Sequence, residues 1–260
     1  MTKNKHLTMP RLLISLICVL LLLVSCFDTS SKVTTQESKE STFLKSKPQK
    51  SCLEKYAMEP CELITVEEIA DMCSIDVSEI ETRPPLAMFK SPLMRSCRFI
   101  WPSDRKMQIT IANGSREVDV ENEVMIGSFQ ILDAEKSRIQ PPYTDWFART
   151  YREITKEEKK NLTAKLVETA DENAENKEQA DLAKNMSKSL LEMTSNIEYR
   201  SIDGLGHRAI LEVRAKSTEV GLNVLEGNIV FKVVVNVSGD NEMNVKVVKE
   251  VAAKVLAACS

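Results

Sequence analysis

Cysteine is the residue type with the widest chemical reach in this chain of 260 residues, which carries seven thiols and only two histidines. A zinc centre would need closely spaced Cys and His ligands, and no C-x-x-C occurs, while His207 is the one histidine beyond the first 25 residues. No metal and no cofactor are therefore expected. Nucleophilic and phosphate chemistry find no support either, since G-x-S-x-G, H-E-x-x-H, P-loop and dinucleotide fingerprints are all missing from the sequence. Glu67 and Glu68 form an acid pair, but they follow Thr65 at the spacing of a capping box. There the Thr hydroxyl and a glutamate carboxylate each accept a backbone N–H at the helix start. First-turn glutamates of this kind serve the helix dipole, not proton transfer. His207 has no nucleophile near it in sequence and sits beside the tight Gly204-Leu205-Gly206 turn, which makes it a structural or surface residue. No catalytic residue is assigned, and a noncatalytic protein is expected.

The remaining chemistry is that of a thiol as a modification site. Lys3, Lys5 and Arg11 precede an uncharged run from Leu12 to Val24, shorter than the ~20 residues that span a bilayer as a helix. A charged start, a short apolar stretch and a small residue before the cut describe a secretory signal. Its end, Leu23-Val24-Ser25-Cys26, is similar to the lipobox of bacterial lipoproteins. That resemblance implies diacylglycerol on the Cys26 thiol and cleavage after Ser25, so that residues 1–25 are a lipoprotein signal and Cys26 is the lipidated N-terminus. Several acyl chains, each buried CH2 contributing ~0.8 kcal/mol, make a stable membrane anchor. Phe27 follows the cysteine where an aspartate would resemble an inner-membrane retention signal, so the outer membrane of the cell envelope is the expected destination.

Removing the three positive and no negative charges of residues 1–25 takes the formal net charge from -3 to -6, which excludes nucleic acid as a partner. Residues 26–50 continue as FDTSSKVTTQESKESTFLKSKPQK from Phe27, rich in Ser, Thr and Lys, the composition of a disordered tether. Extended at ~3.3 Å per residue it reaches about 70 to 80 Å. Residues 51–260 are long enough for one domain with a good core. Five cysteines remain there, Cys52, Cys61, Cys73, Cys97 and Cys259. An exported, oxidising compartment favours disulfides, and the odd count leaves at least one thiol over.

The elements that position these residues can be read in order. CELITVEEIADMC is a short helix with Ile64 and Ile69 as a hydrophobic staple and Ile69, Cys73, Val66 and Ala70 along its apolar face. TRPPLAMFKSP is a proline-broken loop. Cys97, Phe99 and Trp101, then Met107, Ile109 and Ile111, alternate with other residues as two antiparallel strands. The stretch 117–139 reads as a helix or a strand, with helix favoured. From about 141 to 195 a helical insertion is expected, one long or two shorter helices. Thr155 and Glu158 cap it, Leu162, Leu166 and Ala170 form one thin stripe, and Ala183, Met186 and Leu190 form another. Just before it, Tyr143, Trp146, Phe147 and Tyr151 form either an exposed recognition patch or the rings that pin the insertion down. NIEYRSIDGLGHRAILEVRAK gives two strands about the glycine turn, and GLNVLEGNIVFKVVVNVSGD a hairpin turning near Gly227-Asn228, with Ile229, Phe231, Val233, Val235 and Val237 on one face. Asn244 is placed to cap a last helix whose Val245, Val248, Ala252, Val255 and Cys259 face a sheet. Segregated runs of helix and strand indicate an α+β fold on an antiparallel sheet with packing helices.

The lipobox, the tether, PCELITVEEIADM, C-x-F-x-W, DGLGHRAIL, LNVLEGNIVFKVVV and the AAKVLA end together resemble uncharacterised bacterial lipoprotein domain families. The resemblance covers most of residues 52–260 apart from the insertion, and implies a PsbP/Mog1-type α/β/α sandwich. His207 stands where that pattern has an acid, so no role carries over at that site. With the positions of Cys61 ahead of the first helix and Cys97 at a strand start, the resemblance implies a Cys61–Cys97 disulfide. Cys52–Cys259 follows from the tendency of domain termini to lie close together, leaving Cys73 as a free buried thiol. The function expected is a noncatalytic binding or scaffold role, with the membrane met through the lipid anchor and an envelope protein or polymer as partner. The alternative is an envelope hydrolase whose carboxylates are dispersed through the fold.

Overall fold

The computed structural model describes residues 50–259 apart from 112–113, 137–138, 175, 195 and 216. The expectations for Cys26, the signal and most of the tether fall at 1–49, outside the described residues. The strands are β1 (Glu81–Arg83), β2 (Ser96–Trp101), β3 (Lys106–Ile111), β4 (Gly114–Asp119), β5 (Asn122–Ile131), β6 (Ile197–Ile202), β7 (Arg208–Arg214), β8 (Val220–Glu226) and β9 (Ile229–Asn236). The helices are α1 (Val66–Cys73), α2 (Tyr143–Thr150), α3 (Lys156–Asn173), α4 (Lys177–Thr194) and α5 (Asn241–Ala257). An α+β fold results, with a seven-stranded antiparallel sheet in the order β1-β2-β5-β9-β8-β7-β6 and a separate β3-β4 ribbon.

Period-two alternation sorts the side chains onto two faces. Val213, Val220, Val235, Val124 and Phe99 are register partners across five strands, and Leu211, Leu222, Val233, Ile126 and Cys97 form the next row. These rows meet Val247, Val248, Val251, Ala252 and Val255 of α5, all fully buried, in the main core. Helix α5 lies along β8 and β9, and α1 packs on α5. On the opposite face Ile210, Leu225 and Val230 form a second cluster with Leu132 and with Tyr143 and Phe147 of α2. Helices α3 and α4 pair with each other, Ala170, Ala180 and Ser187 being buried and Lys184 Nζ lying 2.6 Å from Asp171 Oδ1.

Both expected capping boxes form, at Thr65–Glu68 and Thr155–Glu158, and the insertion consists of separate helices. Elsewhere tertiary structure overrode local reading. The segment 117–139, read as a helix, supplies β4 and the ten residues of β5. Its Val124 and Ile126 alternate toward the main core, and β5 is central, so both edges gain a hydrogen-bonded partner that an isolated segment cannot show. The strands expected at 97–101 and 107–111 exist but are not mates: β2 pairs with β1 and β5, whereas β3 pairs with β4. Asn244 is not the cap of α5; Asp240 is, its carboxylate accepting from the Glu242 N–H. Fully buried, Asn244 instead accepts from Val237 N and donates to the carbonyls of Thr218 and Ser238, tying the helix to two loops. On the exposed side of the second stripe, Met186 is not covered, because Ala180 and Ser187 take the hairpin interface.

Candidate functional site

The cysteines pair as Cys61–Cys97 and Cys52–Cys259, with Cα separations of 5.0 and 5.7 Å. The first bridge ties the turn before α1 to the start of β2, and the second closes the domain's ends. Cys73 is free and half-buried, and burial, reinforced by Glu250, pushes its thiol up to about 11. Disulfides fit an oxidising, extracytoplasmic setting. No described helix is long and apolar enough to cross a membrane.

The four aromatic residues fall mainly inside. Tyr143 and Phe147 are buried in the second core cluster, and Trp146 and Tyr151 are half-buried against it. The Phe147 and Tyr151 rings sit 4.8 Å apart. An exposed patch of all four rings is thus not what these residues make; they hold α2 to the sheet, because Ile210, Leu225 and Val230 lie beneath them. Next to them lies a buried polar group that single-sequence reading missed. Glu212, buried, accepts from Asn223 Nδ2 at 2.7 Å and from Lys232 Nζ at 2.5 Å. Burial first, then the Glu212 charge, raises the phenols of Tyr151 and Tyr199 above the usual tyrosine range. All three charged and amide groups lie on adjacent strands in adjoining register rows, so only strand pairing reveals them. The carboxylate has its cation and its amide in place, as a satisfied ion pair does.

His207 closes a turn. Its Nδ1 accepts the Gly227 N–H at 3.0 Å and its backbone N–H donates to Leu225 O at 2.8 Å, joining the glycine turn to the β8–β9 turn. Gly206 is needed there, at φ 59° and with Val224 and Leu225 closing on it.

A cavity of about 500 Å³ opens where β2 and β9 end and β5 begins. Trp101, Pro102, Ile75 and Val237 supply apolar lining, and Glu79, Asp104, Arg105 and Asn122 the polar part. Arg105 builds this end. Nη1 donates to Asn236 Oδ1 at 2.6 Å and reaches Thr218 Oγ1 and Ser238 O, while Nη2 donates to Asn236 O at 2.7 Å and Asn122 Oδ1 at 2.8 Å. Its Nε is buried without a partner, and burial lowers the guanidinium's affinity for its proton. Among the described residues no carboxylate lies within ion-pair distance of it. The result is a cation satisfied by neutral oxygens beside an apolar wall and two carboxylates, Glu79 and Asp104, an arrangement that favours a ligand with an apolar body and a polar head. Arg105 escaped sequence reading because its acceptors come from three distant segments. Its one local signal is the polar run Ser103-Asp104-Arg105 after Pro102.

No protein-family model matches the chain, and neither a curated protein nor a solved structure matches it.

Proposed function

We propose that this protein is a lipid-anchored component of a bacterial cell envelope, held on the outer membrane through Cys26, with a noncatalytic binding role exercised at the Arg105 cleft. The finer fold in this reading is a PsbP/Mog1-like α/β/α sandwich, supported by α5 on one face of the sheet and α2 on the other. Residues 51–260 act as one domain presented on the 26–50 tether. The observation that carries the binding reading is Arg105, a guanidinium locked by backbone and amide oxygens at the edge of a cavity with mixed polar and apolar lining. A rigid cation of this kind recognises a partner without reorganising. The occupant is an envelope protein or polymer segment; the acidic balance of the chain argues against nucleic acid.

The test is photocrosslinking in intact cells from a photoreactive residue at Asp104 on the cleft rim, with Lys246 on α5 as the control position. A discrete adduct from 104 that disappears in Arg105→Met supports the reading; the same products from both positions refute it. The hydrolase alternative has one foothold, the buried Glu212 with Lys232 and Asn223. Turnover of an esterase, amidase or glycosidase substrate that is abolished in Glu212→Gln would replace the binding reading.

A further inference from the structure

The loop between β1 and β2 exposes large apolar side chains that neither the core nor the cleft uses. Leu86, Met88, Leu93 and Met94 are 59, 74, 53 and 58% exposed. The eleven residues 84–94 include Lys90 and no acid. A floppy loop would hide such groups by collapse, but this one is clamped from beneath. Arg95, only 7% exposed, donates to Phe89 O at 2.9 Å and Met58 O at 2.5 Å, and pairs with Glu59 at 3.0 Å. Ser128 N also donates to Arg95 O, and Gly127 of β5 admits that carbonyl where a Cβ would collide with it. The same arginine therefore fixes the loop against the 52–62 segment, which adds exposed Met58 to the apolar group.

Position in the fold bears on what meets this surface. Ser51, where the 26–50 segment joins the domain, donates its N–H to Asn228 Oδ1 at the β8–β9 turn, 2.9 Å away. That turn lies at the Ile229 end of β9, which pairs with the Ile131 end of β5, and the Ser96 end of β2 is on the same side of the sheet. Chain entry and apolar loop thus share one end of the sheet. The cleft lies at the other, about 17 Å along β2 from Ser96 to Trp101 at ~3.4 Å per residue.

We propose that Leu86, Met88, Leu93 and Met94, clamped by Arg95, form a second membrane contact that rests the domain on the lipid surface carrying Cys26 and turns the Arg105 cleft away from it. This rests on the anchored reading above. Apolar side chains seat at the headgroup and acyl boundary, Lys90 meets anionic headgroups, and anchoring through the 26–50 tether raises the local lipid concentration.

The experiment has two arms. In the first, mature chain carrying Cys26→Ser, hence without lipid, is floated with vesicles of phosphatidylethanolamine and phosphatidylglycerol. Measurable binding is expected, falling roughly tenfold or more when Leu86, Met88, Leu93 and Met94 are replaced by Ser. Circular dichroism and melting confirm that this variant is folded. In the second, lipidated Met88→Trp protein is reconstituted in the same vesicles, and the spectrum of the parent is subtracted. Blue-shifted emission quenched by brominated lipid supports the contact. Water-like, unquenched emission, or equal flotation of the Cys26→Ser parent and its Ser variant, overturns it. Flotation of the unlipidated chain does not depend on acylation, so failure of the Cys26 reading, seen as equal fatty-acid labelling of wild type and Cys26→Ser, is distinguished from failure of this one.

Discussion

The two ends of β2 are built by different physics. At the Ser96 end a covalent bridge, Cys61–Cys97, and a buried arginine with a carboxylate partner hold an apolar loop out toward solvent. At the Trp101 end another arginine, Arg105, pairs with no carboxylate among the described residues and gathers carbonyl and amide oxygens around a cavity. Both guanidiniums pin loops, yet the first meets a carboxylate, while the second is held by neutral oxygens beside a space. An apolar surface needs only to be held in position, whereas a recognition site also needs a fixed group without a counter-charge of its own. The Glu212–Lys232 pair illustrates the contrast within the sheet: complete compensation there leaves a structural element.

Breaking the bridge should have the largest effect. Cys61→Ala with Cys97→Ala releases a 36-residue loop, and the chain-entropy estimate is a loss of about 4 kcal/mol, read as a lower denaturation midpoint with the Cys52–Cys259 bridge intact. Next, Arg95→Met should cost about 2 to 3 kcal/mol, since it leaves the part-buried Met58 and Phe89 carbonyls and the Glu59 carboxylate without their donor. Hydrogen exchange should speed up in residues 84–95 and stay slow around Trp101 and Asn122; equal loosening at both ends would dissolve the distinction between them. Arg105→Met should cost less, about 1 to 2 kcal/mol, because its acceptors can reach water through the cleft. Its exchange pattern should be the mirror image, with β3, β4 and the Ser238 loop loosened and the Ser96 end unchanged.

The free thiol sharpens the comparison from the cleft side, since Cys73 ends α1 two residues before Ile75 of the cleft lining. A thiol raised to about 11 stays protonated in the fold, so native protein at pH 8 should react with iodoacetamide far more slowly than unfolded protein. Because the folded state holds the proton more tightly, the stability this group contributes is present below about pH 9 and is lost as pH climbs toward 11. Arg105→Met should speed the labelling and Arg95→Met should not. The smallest effect lies far from both ends. Arg152 and then the Thr155 N–H hold the Glu158 carboxyl down at about 2, so the capping of α3 contributes above pH 4.5 and is lost as pH falls toward 2. Acidification over that range should raise amide exchange at the start of α3 while leaving both ends of β2 protected.

Much of the architecture was legible because local rules and burial agree there. The capping boxes at Thr65 and Thr155 complete themselves within four residues, and the Gly227-Asn228 hairpin is set by a glycine at φ 60° between alternating strands. Where agreement fails, reading failed. Residues 117–139 hold both helical and strand spacing, and the choice fell to β2 and β9, which supply hydrogen bonds on either side of β5. Asn244 looked like a cap by residue type, but Asp240 four residues earlier took that place once Val237, Thr218 and Ser238 surrounded the amide.

Sequence by itself determined what depends on neighbours a few residues apart: the signal-like start and its cysteine, the acidic balance, the capped helices, the two C-terminal hairpins and the α+β order of elements. Tertiary structure alone decided which strands became partners and whether four aromatic rings faced water or the sheet. It also decided that Arg95 became a clamp paired with a carboxylate and Arg105 a cation held by neutral oxygens. The reason is physical. A guanidinium's character is set by the oxygens and carboxylates around it, and here those come from segments up to 133 residues away, which no local spacing encodes.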